Sequence, residues 1–329
     1  MNTSSDKKIE KPSIIQALLS GFNTIANKPD LILIPIILDL FLWFGPAWRV
    51  DLVFAPLIQS LDNFPGIQSV EIALLIENYQ LALRDIVNNF NLAISLRTLP
   101  IGVPSLMVSK PSYLNPIGHP LTFSLETNSQ LFGFWLMFIL TGFFLGSLYF
   151  QNISKQIIEI NNHSFTALWQ SFLQIIIFPI LLILVLIILS VPIILLVTLV
   201  TMISPAISQF ILMLASIFIL WALMPLIFTP HGIFLYKQKI FPAMITSIKV
   251  VRLSMGQTAW FVLSGFLLIE GLNYLWRSPN VDNWFLMIGI LGHAFVVSAV
   301  IAASFHYFID ATKFSQSVIN MSMQSIQNL

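Results

Sequence analysis

Asp39 and Glu270 each lie inside an otherwise uncharged apolar stretch of the chain. An ionised carboxylate near the bilayer centre costs about 2.5–3.5 kcal/mol on insertion scales, so such a group faces protein or water rather than lipid. Two chemistries suit the position. One is a proton or cation site, or an anchor for a cationic solute. The other is a structural carboxyl hydrogen-bonded to a neighbouring helix, with Asn273 and Tyr274 close to Glu270 in sequence. Asp39 and Glu270 are therefore the candidate intramembrane polar site. A second set is basic. With about 100° per residue, Ile240, Met244, Ile248, Val251 and Met255 form one stripe, and Lys239, Lys249 and Arg252 fall off it. A cationic amphipathic helix lies in the headgroup plane, which makes these three the candidate contacts to anionic lipid.

Other chemistry is missing from the sequence. The chain has no cysteine, which removes disulfides, thiolate nucleophiles and cysteine zinc sites and leaves the redox compartment open. His293 and His306 are thirteen residues apart, about 220° around a helix, so they cannot share a metal. His231 follows Pro230, while His119 and His163 fall in loops. No His-x-x-x-His pair, phosphate loop or nucleophile elbow occurs. No metal, no cofactor and no enzymatic activity is expected. A net charge of +1 recruits no nucleic acid.

These residues need helices in a membrane to position them. Of the 329 residues, 57% are hydrophobic and 9% charged, with a mean hydropathy of +0.88. Soluble domains carry about 25% charged residues, so the expected fold is an all-α integral membrane protein, a single domain over residues 1–329. A bilayer core of roughly 30 Å takes about 20 apolar residues. Six spans are expected, near residues 31–48, 131–150, 172–199, 207–235, 258–276 and 284–309. Ser204-Pro205 marks the turn of a hairpin, and Pro179 and Pro192 predict kinks rather than breaks. The polar N-terminus, followed by an amphipathic stretch, is not expected to be a cleaved signal.

Lysine and arginine set the orientation. The segments on the side of the termini hold ten of them, from Lys7 to Lys313, and the opposite side holds Arg49, Arg84, Arg97, Lys110 and Arg277. Both termini are therefore expected in the cytoplasm of a multi-pass cell-membrane protein. Asn-x-Ser/Thr triplets at Asn2, Asn152, Asn162 and Asn320 all fall on that side, so glycosylation is not expected.

Three stretches share the pattern apolar-x-Ala-apolar-apolar-x-Ser/Gly, beginning at Ile15, Phe165 and Phe241, each just before an expected odd-numbered span. Read as a repeat, they give three units of a cytoplasmic interfacial elbow helix and two spans. The bland alternative is that any amphipathic helix entering a membrane has this pattern. At the third copy, the run from Met224-Pro225 through Lys239, Ala243, Ser247 and Arg252 into Trp260 resembles a broad group of bacterial multi-pass membrane proteins. That group includes the membrane domain attached to some glycerophosphodiester phosphodiesterases. The resemblance covers about forty residues. It implies fold rather than activity, since no phosphodiesterase catalytic domain is present.

Residues 49–126 form an extracytoplasmic insertion. Ile72, Leu75, Ile76, Tyr79, Leu83, Ile86, Val87, Phe90 and Ile94 share one face of an expected amphipathic helix from Val70 to Leu96, next to a short helix from Val50 to Leu61. Leu74, Leu81 and Leu92 add a thinner stripe, suited to packing against a second surface, either that short helix or a protein partner. Pro100, Pro104, Pro111, Pro116 and Pro120 then forbid regular helix and predict an irregular cap, acting either as a lid or as a spacer packed on the bundle. Gly142-x-x-x-Gly146 permits close approach in span two. The expected function is a non-enzymatic membrane protein that binds lipid or supports a membrane complex. The alternative is a small-solute or ion permease working through Asp39 and Glu270.

Overall fold

The computed structural model describes residues 10–60, 70–110, 114–158 and 165–327. Lys7, Lys8, Pro111, His163 and the triplets at Asn2 and Asn162 lie outside them, as do the side chains of Ile72 and Leu75. Nearly all the regular structure is helical. Among the described residues, five helical segments are long and apolar enough to cross a membrane. The residues gather into two compact units.

The first unit holds residues up to Lys28, Phe150–Leu267 and Ala299 onward. Its α1 (Ile14–Asn27) starts at Ser13, whose side chain accepts from the Gln16 N–H. Ala17, Gly21 and Ile25 make the buried face, spaced four apart as one helical stripe. A Cβ on Gly21 would come within 2.3 Å of the Ala299 carbonyl oxygen and 2.6 Å of the Ala303 Cβ. Glycine here is a close-approach residue facing alanines. The second repeat copy differs from expectation: it is no separate elbow but the first two turns of α6 (Phe165–Thr201), which runs on unbroken through Pro179 and Pro192. Its most apolar 18-residue stretch has no buried residue, which suits a helix whose surroundings are hydrocarbon.

The hairpin turn falls where expected: α6 ends at Thr201, and Ser204 stands before α7 (Pro205–Leu223) with proline in its first turn. A 3-10 turn over Met224–Leu226 leads to the buried α8 (Thr229–Tyr236). The third copy is a helix of its own, α9 (Ile240–Leu253). Its buried face is Ile240, Ala243, Ser247, Val250 and Val251, so the seam runs through the small residues and the expected Met244 and Ile248 are only half buried. Ser247 explains the shift: its hydroxyl donates to the Pro225 carbonyl at 2.7 Å and accepts from the Phe228 N–H at 3.1 Å.

The second unit holds Pro29–Tyr149 and Leu268–Ser298. Its first helix is shorter than the expected span 31–48: α2 (Leu33–Phe44) has 12 residues, about 18 Å at 1.5 Å each, and is not among the five of spanning length. Gly45 closes it by donating to the Phe41 carbonyl at 2.8 Å, and the chain leaves as β1 (Ala47–Arg49), paired in parallel with β2 (Thr122–Ser124). Then α3 (Asp51–Ser60) matches the expected short helix, whereas α4 (Val70–Asn89) stops well before Leu96. The reason is local. The Asn89 amide bonds back to the Asp85 carbonyl, and the Asn91 side chain accepts from Ala93 N–H and Trp48 N–H, starting a 3-10 turn over Leu92–Leu96. α4 packs against α3. Along the two expected stripes Leu92, beyond the end of α4, is buried and Ile76, Val87, Phe90 and Ile94 are half buried, while Tyr79, Leu83, Ile86, Leu74 and Leu81 are exposed.

The proline-rich cap is irregular and packed, with Ile101, Val103 and Leu106 wholly buried. Gly142 and Gly146 of α5 (Asn128–Ile158) serve this cap rather than another helix. A Cβ on Gly142 would meet the Leu96 carbonyl oxygen at 2.3 Å, and one on Gly146 the Gly102 Cα at 3.1 Å. The remaining helices are α10 (Met255–Trp276) and α11 (Leu286–Gln327).

Candidate functional site

Asp39 is fully buried on α2, and its carboxylate is occupied. Oδ1 accepts from the Ser105 hydroxyl at 2.5 Å and the Met107 N–H at 3.0 Å, and Oδ2 accepts from the Leu106 N–H at 3.1 Å. Ser105 Oγ in turn accepts from the Val108 N–H. Three donors from one turn of the cap thus converge on one carboxylate, and charge-assisted hydrogen bonds of this kind contribute about 1.5–3 kcal/mol each. Around them Trp43, Leu106, Met107, Leu286 and Ile290 form a buried apolar cluster, and the Trp43 indole N–H donates to the Val281 carbonyl.

Glu270 lies six residues before the end of α10, about 9 Å from it. Its side chain is 47% exposed, with Oε2 3.9 Å from an Arg277 guanidinium nitrogen. Oε1 accepts from the Asn273 amide at 3.3 Å, and Asn273 Oδ1 faces His293 Nδ1 at 2.8 Å. Trp276 approaches α11 closely where Gly289 and Gly292 leave room: a Cβ on Gly289 would come within 2.3 Å of its carbonyl oxygen and one on Gly292 within 2.7 Å of its indole.

The two carboxylates flagged in the sequence share a neighbour that was not flagged. Arg97 follows the 3-10 turn Leu92–Leu96, held by buried Leu92, Ala93 and Leu96 and by its own N–H to the Ile94 carbonyl. Although the residue is exposed overall, partial desolvation of the guanidinium pulls its pKa below the usual arginine range. Asp39 and Glu270 oppose that shift and Arg277 reinforces it. Lys110, whose ammonium donates to the Pro279 carbonyl, is likewise lowered by burial and by Arg277. The cluster holds three cations against two carboxylates. Arg97 and Arg277 lie outside the expected spans, where a basic residue in sequence signals only which side of the membrane it is on.

The basic set resolves into two places in the first unit. Lys239 lines a cleft of about 240 Å³ with Gln170, Gln174, Lys237 and Gln238. Gln174 Oε1 accepts from the Ile240 N–H at 2.8 Å, at the start of α9. Lys237 closes α8 with φ 52°, a left-handed conformation that costs a non-glycine residue about 1 kcal/mol. Burial and the Lys155 charge hold its amine below the ordinary lysine range. Lys249 and Arg252 are exposed on α9. Exposed Phe241 and Ile245 share their face.

A scan of family models finds no match for the chain, and neither curated proteins nor solved structures yield one. The site therefore stands on its own geometry. The histidines are dispersed: His231 Nε2 meets Ser304 Oγ at 2.7 Å and His306 Nε2 meets Thr24 Oγ1 at 3.0 Å. Among the described residues no group of three or more His, Asp or Glu is placed to hold a metal.

Proposed function

We propose that this is a non-enzymatic multi-pass membrane protein that binds anionic lipid headgroups beside α9 and supports a membrane complex through its insertion. The observation that carries the reading is the cleft lined by Lys237, Lys239, Gln170, Gln174 and Gln238. Two lysine side chains line it together, and ammonium groups favour an anionic phosphate. Exposed Phe241 and Ile245 alongside Lys249 and Arg252 suit a helix at the level of the headgroups. The exposed Leu74, Tyr79, Leu81 and Ile86 of α4 support the partner half of the reading. On this view both termini are cytoplasmic, and α1 and α9 are elbow helices.

The permease alternative draws support from Glu270, half exposed beside Arg277. It draws none from Asp39, whose oxygens are taken by the cap. The test is native mass spectrometry of the protein released from nanodiscs of phosphatidylcholine with or without phosphatidylglycerol. Retained phosphatidylglycerol that is lost in Lys237→Gln/Lys239→Gln supports the proposal. Equal retention of both lipids, or no change in the double variant, refutes it.

A further inference from the structure

Near the C-terminal end of α10, a short relay decides which nitrogen of His293 carries the proton. Asn273 donates its amide N–H to Glu270, so the oxygen of that amide is what faces His293 Nδ1 at 2.8 Å. An acceptor at that point makes Nδ1–H the donor of the neutral ring and leaves Nε2 as a lone-pair acceptor. His293 is 3% exposed, and its Nε2 has no hydrogen-bond partner among the described residues. Leaving a buried polar atom unsatisfied costs about 1–3 kcal/mol, which a ligand donating to it would recover. Arg97 and Arg277 both lie within electrostatic reach of this imidazole, and Arg277 Nε is a second buried atom with no partner. Glu270 is turned to Asn273 and Arg277, and Asp39 to the cap, so neither carboxylate is bonded to Arg97.

We propose that Arg97, Arg277 and His293 form a binding site for a phosphate oxyanion that carries one proton. The guanidinium groups take the charged oxygens, a geometry that their planar forks suit. The P–OH donates to His293 Nε2, and the proton can rest on either side of that contact. Glu270 and Asn273 are positioning residues that hold the imidazole in the accepting tautomer. The pattern distinguishes ligands: phosphate and phosphomonoesters retain a titratable proton near neutral pH, whereas sulfate has none to give. The phosphate can come from solution or from a phosphomonoester lipid such as phosphatidate.

The experiment uses the full chain in detergent, titrated calorimetrically with inorganic phosphate and with sulfate at pH 7. It then uses nanodiscs with and without phosphatidate. Phosphate is expected to bind roughly tenfold or more tightly than sulfate, the worth of one hydrogen bond to a charged group. Arg97→Gln is expected to weaken binding by a similar factor, with its unliganded melting curve and circular dichroism checked against the wild type to separate lost binding from lost fold. His293→Phe, which removes the acceptor, is expected to erase the preference over sulfate, and a preference that survives it overturns the proposal. Phosphatidate that displaces phosphate identifies the lipid as the source, and phosphate binding indifferent to phosphatidate identifies the free ion. Absence of binding by either anion, equal affinity for phosphate and sulfate, or an unaltered Arg97→Gln protein overturns the proposal.

Discussion

Replacing Asp39 by asparagine separates an anchoring carboxylate from one that moves protons or solutes. The amide keeps one oxygen, which can still accept from Ser105 Oγ and Met107 N–H, at 2.5 and 3.0 Å in the wild type. Its Nδ2 then faces the Leu106 N–H, donor against donor, where Oδ2 accepted at 3.1 Å. One charge-assisted bond is lost, about 1.5–3 kcal/mol, and a buried N–H is left unsatisfied at about 1–3 kcal/mol. Part of this is offset because a buried charge no longer has to be desolvated. The net expectation is a destabilisation of about 2 kcal/mol, measured by titrating the purified protein from mild into denaturing detergent. The cap should also loosen, so proteinase K should cut between residues 100 and 110, a stretch holding wholly buried Ile101, Val103 and Leu106 in the wild type. A double-mutant cycle with Ser105→Ala isolates the pair, with a coupling of about 1 kcal/mol or more expected. If Asp39→Asn unfolds within about 0.5 kcal/mol of the wild type and leaves the cap resistant, the anchoring account is wrong.

Four further outcomes follow from other parts of the chain. Lys237→Gly should relieve the φ 52° conformation and stabilise the fold by about 0.5–1 kcal/mol while weakening retention of anionic lipid; loss of stability in detergent unfolding would contradict it. The sign of the Lys237 pH dependence is also set. Its pKa is lower folded than unfolded, so the unfolded chain binds more protons between the two values and stability should rise with pH there, up to the ordinary lysine value near about 10.4. A Lys237→Gln protein with an unchanged stability–pH slope would refute that assignment. Gly21→Ala should destabilise by about 1–3 kcal/mol, because its Cβ would fall 2.3 Å from the Ala299 carbonyl oxygen; a wild-type melting curve would rule out the close approach. Finally, reporter fusions after Leu329 and near Pro104 should report opposite sides of the membrane, and a cytoplasmic signal near Pro104 would reverse the topology.

What the sequence made legible follows from which forces act locally. Long uncharged runs place α5, α6, α7, α10 and α11 because hydrocarbon demands length and apolarity and little else. The stretch 31–48 is apolar for the same reason, but Gly45 and the strand after it end α2 at Phe44, a stop that apolarity alone does not show. Placing both termini on one side takes an even number of crossings, with α2 and its flanking turns completing the sixth. Asn89 and Asn91 likewise ended α4 through side-chain bonds that hydrophobic periodicity does not register. For the site, intramembrane charge pointed to Asp39 and Glu270, since a carboxylate in an apolar run is conspicuous. It could not pair them with Arg97, which is 58 residues from Asp39 and 173 from Glu270. Nor could it single out His293, whose importance is a tautomer set by Asn273. Spacing along one helix does reach Asn273 and Arg277 from Glu270, three and seven residues on, and that i, i+3, i+7 polar face at the end of a span was the signal available for finding the cluster.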